Sequence, residues 1–361
     1  MVHMSSPDFL FLLGAGASAE AGLPMASSMT EKFIASVKES GDGELVGALS
    51  LVLGGIHFLR GFKGHFPSPQ INIEELAVTL DAIVERRTSQ LSPFVGSWND
   101  LLGRFDGSRS GTRDCIDELR QMLHDQINVW LITPKIGELG HFQQLRAFTK
   151  EYGRLDIFTL NYDLCVETAL ADVDVQFTCG VNKDGWDASL FQDSNNIVKL
   201  YKMHGSVDWY RDSEDGNVYS VTTPPEDRIP ASGFAPLLIF GLANKLQAVD
   251  PFLHLSYTFS RYARSARVLV VIGYGFADDY INQMILQGFS SDSRKQMIVV
   301  SDTCESGRQA LLSNFGRASV FVDAKRIRFL GEGCKSQLEK RNLLTQLKLA
   351  LEETSDEGPF N

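Results

Sequence analysis

The sequence contains no closely spaced pair of cysteines. Its five cysteines, Cys115, Cys165, Cys179, Cys304 and Cys334, are odd in number and far apart. Without a CxxC spacing they predict neither a disulfide framework nor a four-thiolate zinc site, so we read them as reduced thiols and expect no bound metal. Positive charge is also scarce. The 34 Lys and Arg stand against 45 Asp and Glu, a net charge of −11, which opposes sequence-independent attraction to nucleic-acid phosphates or to anionic lipid. Direct binding to nucleic acid is not expected. No apolar run approaches the roughly 20 residues of a membrane span, and Phe9 to Leu13 is too short for a signal peptide and lacks its basic flank. These absences predict a cytoplasmic chain without a membrane segment. There is no internal repeat and no low-complexity tract.

What is present is a globular composition. At 361 residues, 43% hydrophobic and 22% charged, the chain has enough apolar material for two domains, or for one with a large insertion. Phe9 to Leu13 is a continuous apolar run of the kind found in a parallel strand buried on both faces. Gly14-Ala15-Gly16-Ala17-Ser18 follows it directly. After Gly22-Leu23-Pro24, Ser28 and Glu31 stand at capping-box spacing, and Met29, Phe33, Ile34 and Val37 recur at helical intervals. This predicts strand, glycine loop and helix.

Residues 46–149 differ from the rest, with helical patterns and few strand signals. Ile116, Leu119, Leu123, Ile127 and Trp130 share one helical face, and 73–84 and 142–148 also suit helices. The stretch is read as a helical insertion, with an exposed loop around 103–113. Further strands are expected at 155–160, 197–203, 237–240, 268–272 and 296–300, with helices at 164–170, 251–263, 279–288 and 305–315 between several of them. The alternation predicts an α/β fold, a doubly wound, Rossmann-like parallel sheet formed by 8–45 and 150–330. The tail, 331–361, carries an amphipathic helix with Leu338, Leu343, Leu344, Leu347 and Leu351 on one face, able to pack on its own domain or on a partner.

In such a sheet ligands bind beyond the carboxyl ends of the strands, and there the sequence is unusually polar. The glycine loop follows the first strand, Asn161-Tyr162-Asp163 the second, His204-Gly205-Ser206 the third, Gly273-Tyr274-Gly275 the fifth and Ser301-Asp302 the sixth. The glycine loop is either a tight strand-to-helix turn or a place where backbone N–H groups approach a pyrophosphate. No Lys-Ser/Thr pair follows it, so a Walker-type triphosphate site is not supported and a dinucleotide is the ligand expected. Asn161 either caps the next helix or orients a water or ribose hydroxyl. Asp163 shares the site or supplies an N-terminal helix charge. His204, the histidine among seven that stands at such a strand end, is a satisfied loop residue or a proton acceptor.

Taken together, Gly14 to Ser18 with Gly22-Leu23-Pro24, Thr159-Leu160-Asn161-Tyr162-Asp163 and Met203-His204-Gly205 resemble three motifs of the sirtuin superfamily in the right order, and the bacterial sirtuin-like branch associated with anti-phage defence in particular. The resemblance spans about 8–50 and 150–305. It implies NAD as substrate, lying across the carboxyl edge of the sheet. Asn161 and His204 would flank the nicotinamide ribose as catalytic residues. Gly14, Ala15, Gly16, Ser18, Asp163, Gly273, Tyr274, Gly275 and Asp302 would contact the nucleotide, Asp302 through a ribose diol. Gly273 to Asn282 resembles the defence branch most, although its Asp278 and Asp279 suit a helix start. Protein-deacylating sirtuins carry a four-cysteine zinc module, and an Asp-Phe-Arg segment after Gly-Ile-Pro. Here neither is found, since Gly22-Leu23-Pro24 continues as Met25-Ala26-Ser27.

The resemblance therefore implies an NAD glycohydrolase that yields nicotinamide and ADP-ribose as the effector of a defence system. The alternatives are an NAD-dependent deacylase or ADP-ribosyltransferase, or a catalytically silent nucleotide-binding scaffold. A homo-oligomer is expected from the apolar faces of the insertion and tail. An ATP-driven DNA translocase is one partner the resemblance suggests.

Overall fold

The computed structural model describes residues 7–24, 26–64, 70–87, 114–131, 138–195, 197–212, 214–222, 237–238 and 249–355. It divides into two compact units, 1–23 with 131–361, and 24–130. The helical insertion expected at 46–149 and the second unit thus differ in their limits: the helix at Ala26–Glu39 falls with the helical unit, and 140–152 with the sheet.

The sheet unit opens with β1 (Phe9–Leu13), entirely buried, and the short helix α1 (Ala15–Ala19). The helical unit follows in the chain with α2 (Ala26–Glu39), α3 (Gly43–Phe62), α4 (Ile73–Val84) and α5 (Cys115–Leu131). Asp42 and Asn72 cap α3 and α4 through their side chains, each cap worth about 1 kcal/mol. Residues at three- and four-residue spacing are buried: Leu45, Leu49, Val52 and Ile56 on α3, Ile73, Leu76, Leu80 and Ile83 on α4, Ile116, Leu119, Leu123 and Ile127 on α5. Helix α2 begins at Ala26, so Ser28 lies inside it rather than at its N-cap. The loop expected at 103–113 lies outside the described residues.

Helix α3 corrects one expectation. By length and composition Gly43–Phe62 is long and apolar enough to cross a membrane. Glu44, His57 and Arg60 interrupt the run and hide it from a search for unbroken apolar sequence, and its buried residues form a stripe rather than a cylinder.

The sheet unit resumes with α6 (Gly140–Gln143), α7 (Leu145–Tyr152), β2 (Leu155–Thr159), α8 (Cys165–Ala171), three two-residue strands β3 (Phe177–Thr178), β4 (Val181–Asn182) and β5 (Gly185–Trp186), β6 (Val198–Lys202), and a hairpin of β7 (Trp209–Arg211) and β8 (Val218–Ser220). Then come α9 (Phe252–Ser265), β9 (Val268–Ile272), α10 (Asp279–Ser290), β10 (Gln296–Val300), α11 (Cys304–Asn314), α12 (Ala318–Asp323), β11 (Ile327–Leu330), α13 (Gly333–Glu339) and α14 (Asn342–Ser355).

Seven strands form one sheet in the order β11-β10-β9-β1-β2-β6-β3, and every pairing in it is parallel. Alternate residues of β1 enter two separate cores, Phe9, Phe11 and Leu13 on one face and Leu10 and Leu12 on the other. Both faces are therefore covered, as the unbroken apolar strands require. The order reverses between β1 and β9, which sets the crevice expected of a doubly wound sheet at their carboxyl ends.

Two expectations change. Of 237–240 only 237–238 are described, and Leu238 makes an isolated antiparallel bridge with Gly205 rather than joining the parallel sheet. The C-terminal helix is two helices, with Arg341 between them at φ 54°. Leu338, Leu343 and Leu347 join the core of their own sheet unit.

Candidate active site

Register places the candidate residues. Leu13 pairs with Thr159 and with Ile272, Thr159 with Lys202, and Ile272 with Val300. Five strands thus end level, and the polar residues that follow them meet at one edge. Asn161 and His204 each stand two residues beyond the paired Thr159 and Lys202.

At the switch point the glycine loop meets the turn after β9. A Cβ on Gly14 would fall 2.7 Å from the Gly273 carbonyl oxygen, and one on Gly273, whose φ is +63°, would fall 2.1 Å from the Ala17 nitrogen. No side chain fits there. The Gly16 N–H donates to the Gly273 carbonyl at 2.9 Å, Gly14 N–H to Ile272 and Ala17 N–H to Gly14. Three N–H groups of the loop are thus engaged within the protein, and close backbone packing accounts for its glycines. Ala15 is exposed and Ser18 buried.

Asn161 does not cap α8. Its Nδ2 donates to the Gly14 carbonyl and to Ser18 Oγ, both at 3.0 Å. A carbonyl can only accept, so the amide orientation is determined: the NH2 faces Gly14, and Oδ1 is the atom that can accept from a water or hydroxyl. Asp163 takes the structural role, its Oδ1 accepting from the Cys165 N–H at 3.0 Å at the start of α8. Burial first, and then Asp163, push the Cys165 thiol far above its ordinary range, which makes it a poor nucleophile.

His204, 6% exposed, has its Nε2 3.1 Å from Asp278 Oδ2. The other oxygen of Asp278 accepts from the N–H groups of Tyr280 and Ile281 and caps α10. The Tyr274 hydroxyl lies 3.1 Å from the Asp278 carbonyl and 3.0 Å from Asn282 Oδ1, so this side chain holds the turn after β9. Gly275 is exposed, and its carbonyl accepts from Asn314 Nδ2. Asp302, also exposed, follows β10, and its carbonyl accepts from the Glu332 N–H at 2.8 Å. The described contacts therefore join Gly14, Gly16, Ser18, Asn161, Gly273, Tyr274 and His204, while Asp302 stands farther along the same edge.

Two groups escape sequence reasoning. Asp278 has the ordinary appearance of a helix cap, which it is, and nothing local signals its second partner. Lys202 sits in what reads as an apolar strand, yet it is fully buried. Its Nζ donates to the Asp163 carbonyl and to Glu167 Oε1, both at 2.6 Å. Burial opposes its charge, but Glu167 and then Asp208 hold its pKa above the ordinary lysine value. Among the described residues no group of three or more His, Cys, Asp or Glu is placed to hold a metal ion.

Residues 156–319 match the family described as SIR2-like domain; this segment holds Asn161, His204, Asp278 and Asp302. No curated protein matches the chain. Among solved structures, a Sir2 homologue mutant in complex with ADP-ribose is 12% identical, covering 94% of this chain and 93% of that one, with a TM-score of 0.44. A Sir2 homologue–NAD complex is 14% identical, covering 95% and 90%, with a TM-score of 0.43. These likenesses are distant, and the α/β, Rossmann-like class stands on the sheet itself.

Proposed function

We propose that the chain is an NAD glycohydrolase that cleaves NAD to nicotinamide and ADP-ribose. One observation carries this reading: Asn161, with its amide locked so that only Oδ1 can accept, and His204 emerge level from adjacent strands, in a segment that matches the SIR2-like family. The bond to be broken joins a ribose to a pyridinium, so nicotinamide leaves neutral and needs no protonation. The site has to place a water and accept one proton. Asn161 Oδ1 holds the water beneath C1′, the water oxygen bonds to C1′ as the nicotinamide nitrogen takes the bond pair, and His204 takes the proton directly or through a ribose hydroxyl.

The wider role we propose is that of an NAD-depleting effector in anti-phage defence, acting as a homo-oligomer and gated by a partner such as an ATP-driven DNA translocase. It is supported by the resemblance of Gly273 to Asn282 to that branch. Release of nicotinamide from NAD by the purified protein, followed with and without an acylated peptide, tests the reaction. Release without peptide is expected. Release only with peptide would turn the reading to a deacylase, and NAD binding without turnover to a scaffold. Cys165→Ala should leave the rate unchanged.

A further inference from the structure

We infer that Asp278 fixes the tautomer and pose of His204, and so acts as a positioning residue for the proton acceptor. This rests on reading His204 as that acceptor. The observation is a shared carboxylate. Oδ1 receives the Tyr280 and Ile281 N–H groups at 3.0 and 3.2 Å, while Oδ2 lies 3.1 Å from His204 Nε2. Both residues are buried, at 5% and 6% exposure.

A carboxylate only accepts, so the imidazole must carry its hydrogen on Nε2, and Nδ1 becomes the nitrogen free to take a proton. The carboxylate cannot rotate away without losing the cap of α10. Its backbone is held as well, because the Tyr274 hydroxyl accepts from the Asp278 N–H at 3.2 Å and lies within reach of its carbonyl. Asn282, one turn into α10, fixes that hydroxyl and donates to the Phe276 carbonyl at 2.7 Å. The Tyr162 ring also lies beside the imidazole, with centroids 6.2 Å apart. The turn after β9 and the first turn of α10 therefore form a rigid mount for a histidine borne by a different strand.

The informative substitution is Asp278→Asn. Asparagine caps helices as well as aspartate does, and the two α10 amides require its oxygen on their side. Its NH2 is then turned toward Nε2, which must accept, and the hydrogen moves to Nδ1. The fold survives, but the nitrogen that accepted the proton is now blocked.

Two readouts separate the inference from the reading beneath it. 15N NMR of the imidazole should report the Nε2–H tautomer in the wild type and Nδ1–H in Asp278→Asn; an unchanged tautomer would overturn the inference whatever the enzyme does. In turnover, kcat for nicotinamide release should fall by at least ~10²-fold, the usual effect of losing a positioned acid–base group, with KM for NAD within about threefold of wild type because the nucleotide contacts lie elsewhere; a kcat within about twofold of wild type would also overturn it. Should the wild type release no nicotinamide while the tautomer still switches, the reading of the reaction fails and the role of Asp278 stands. If the Asn variant misfolds, Asp278→Ser retains a capping hydroxyl without the carboxylate, and the same 15N spectra should then show the imidazole no longer fixed as the Nε2–H tautomer; an unchanged Nε2–H population counts against the inference.

Discussion

Asn161 Nδ2 donates to Ser18 Oγ at 3.0 Å, joining residues 143 apart in the chain. The same nitrogen reaches the Gly14 carbonyl, so one amide ties the end of β2 to the loop after β1. In the proposed reaction its two duties fall on different atoms, the NH2 holding the loop and Oδ1 placing the water.

Asn161→Ala should therefore show two losses. Losing the two buried hydrogen bonds of the amide costs about 1–3 kcal/mol, read as a lower urea midpoint, and nicotinamide release should drop by at least ~10²-fold. Restoring stability with an unrelated stabilising substitution should not restore activity. If activity returns with stability, Asn161 has no part in the chemistry.

Gly273→Ala and Gly275→Ala make a matched pair two residues apart. The first puts a methyl 2.1 Å from the Ala17 nitrogen at φ +63°, whereas nothing lies within 4 Å of a Cβ on Gly275. A left-handed conformation alone costs an alanine roughly 1–2 kcal/mol, and the clash adds to that. Melting curves should show a clear loss for Gly273→Ala and almost none for Gly275→Ala. Equal melting temperatures would show that the two turns are not in this contact.

Lys202 and Glu167 form a buried pair at 2.6 Å. Removing one partner strands the other charge, at a cost of about 3–5 kcal/mol, whereas replacing both with apolar residues can be close to neutral. Lys202→Met should accordingly unfold at far lower denaturant than Lys202→Met with Glu167→Leu. A double variant no better than the single one would refute a mutual dependence.

His141 is wholly buried beside Phe142, with ring centroids 4.3 Å apart. Burial lowers its pKa below the ordinary 6.5, with Glu20 opposing. The folded protein therefore holds this ring neutral, while the unfolded chain takes up a proton more readily. The sign follows from linkage: stability is complete above about pH 6.5 and is lost as pH falls from there through the lowered folded value. Thermal melts between pH 7.5 and 5 should fall more steeply for wild type than for His141→Phe, and parallel slopes would contradict this.

Much of the sheet is legible because its strands are buried on both faces. Phe9 to Leu13 and Val268 to Ile272 need no tertiary information to be recognised. Strand β11 is not, since Ile327-Arg328-Phe329-Leu330 lies on the sheet edge, is only partly buried and carries an arginine. Strand β6 is recognisable in spite of Lys199 and Lys202, whose burial depends on carbonyls and a carboxylate supplied by remote segments. The site divides in the same way. Asn161 and His204 stand out because polar residues directly after apolar strands are conspicuous, whereas the second partner of Asp278 belongs to another strand and leaves no trace near residue 278.

The seam between the glycine loop and the turn after β9 has a genetic consequence. A methyl gained in most cores is accommodated when a neighbouring side chain is shortened, but around Gly273 the obstacles are main-chain atoms of Gly16 and Ala17, which no codon change can shrink. A selection that starts from Gly273→Ala should return true revertants at position 273 and no compensating allele among the residues that line the seam.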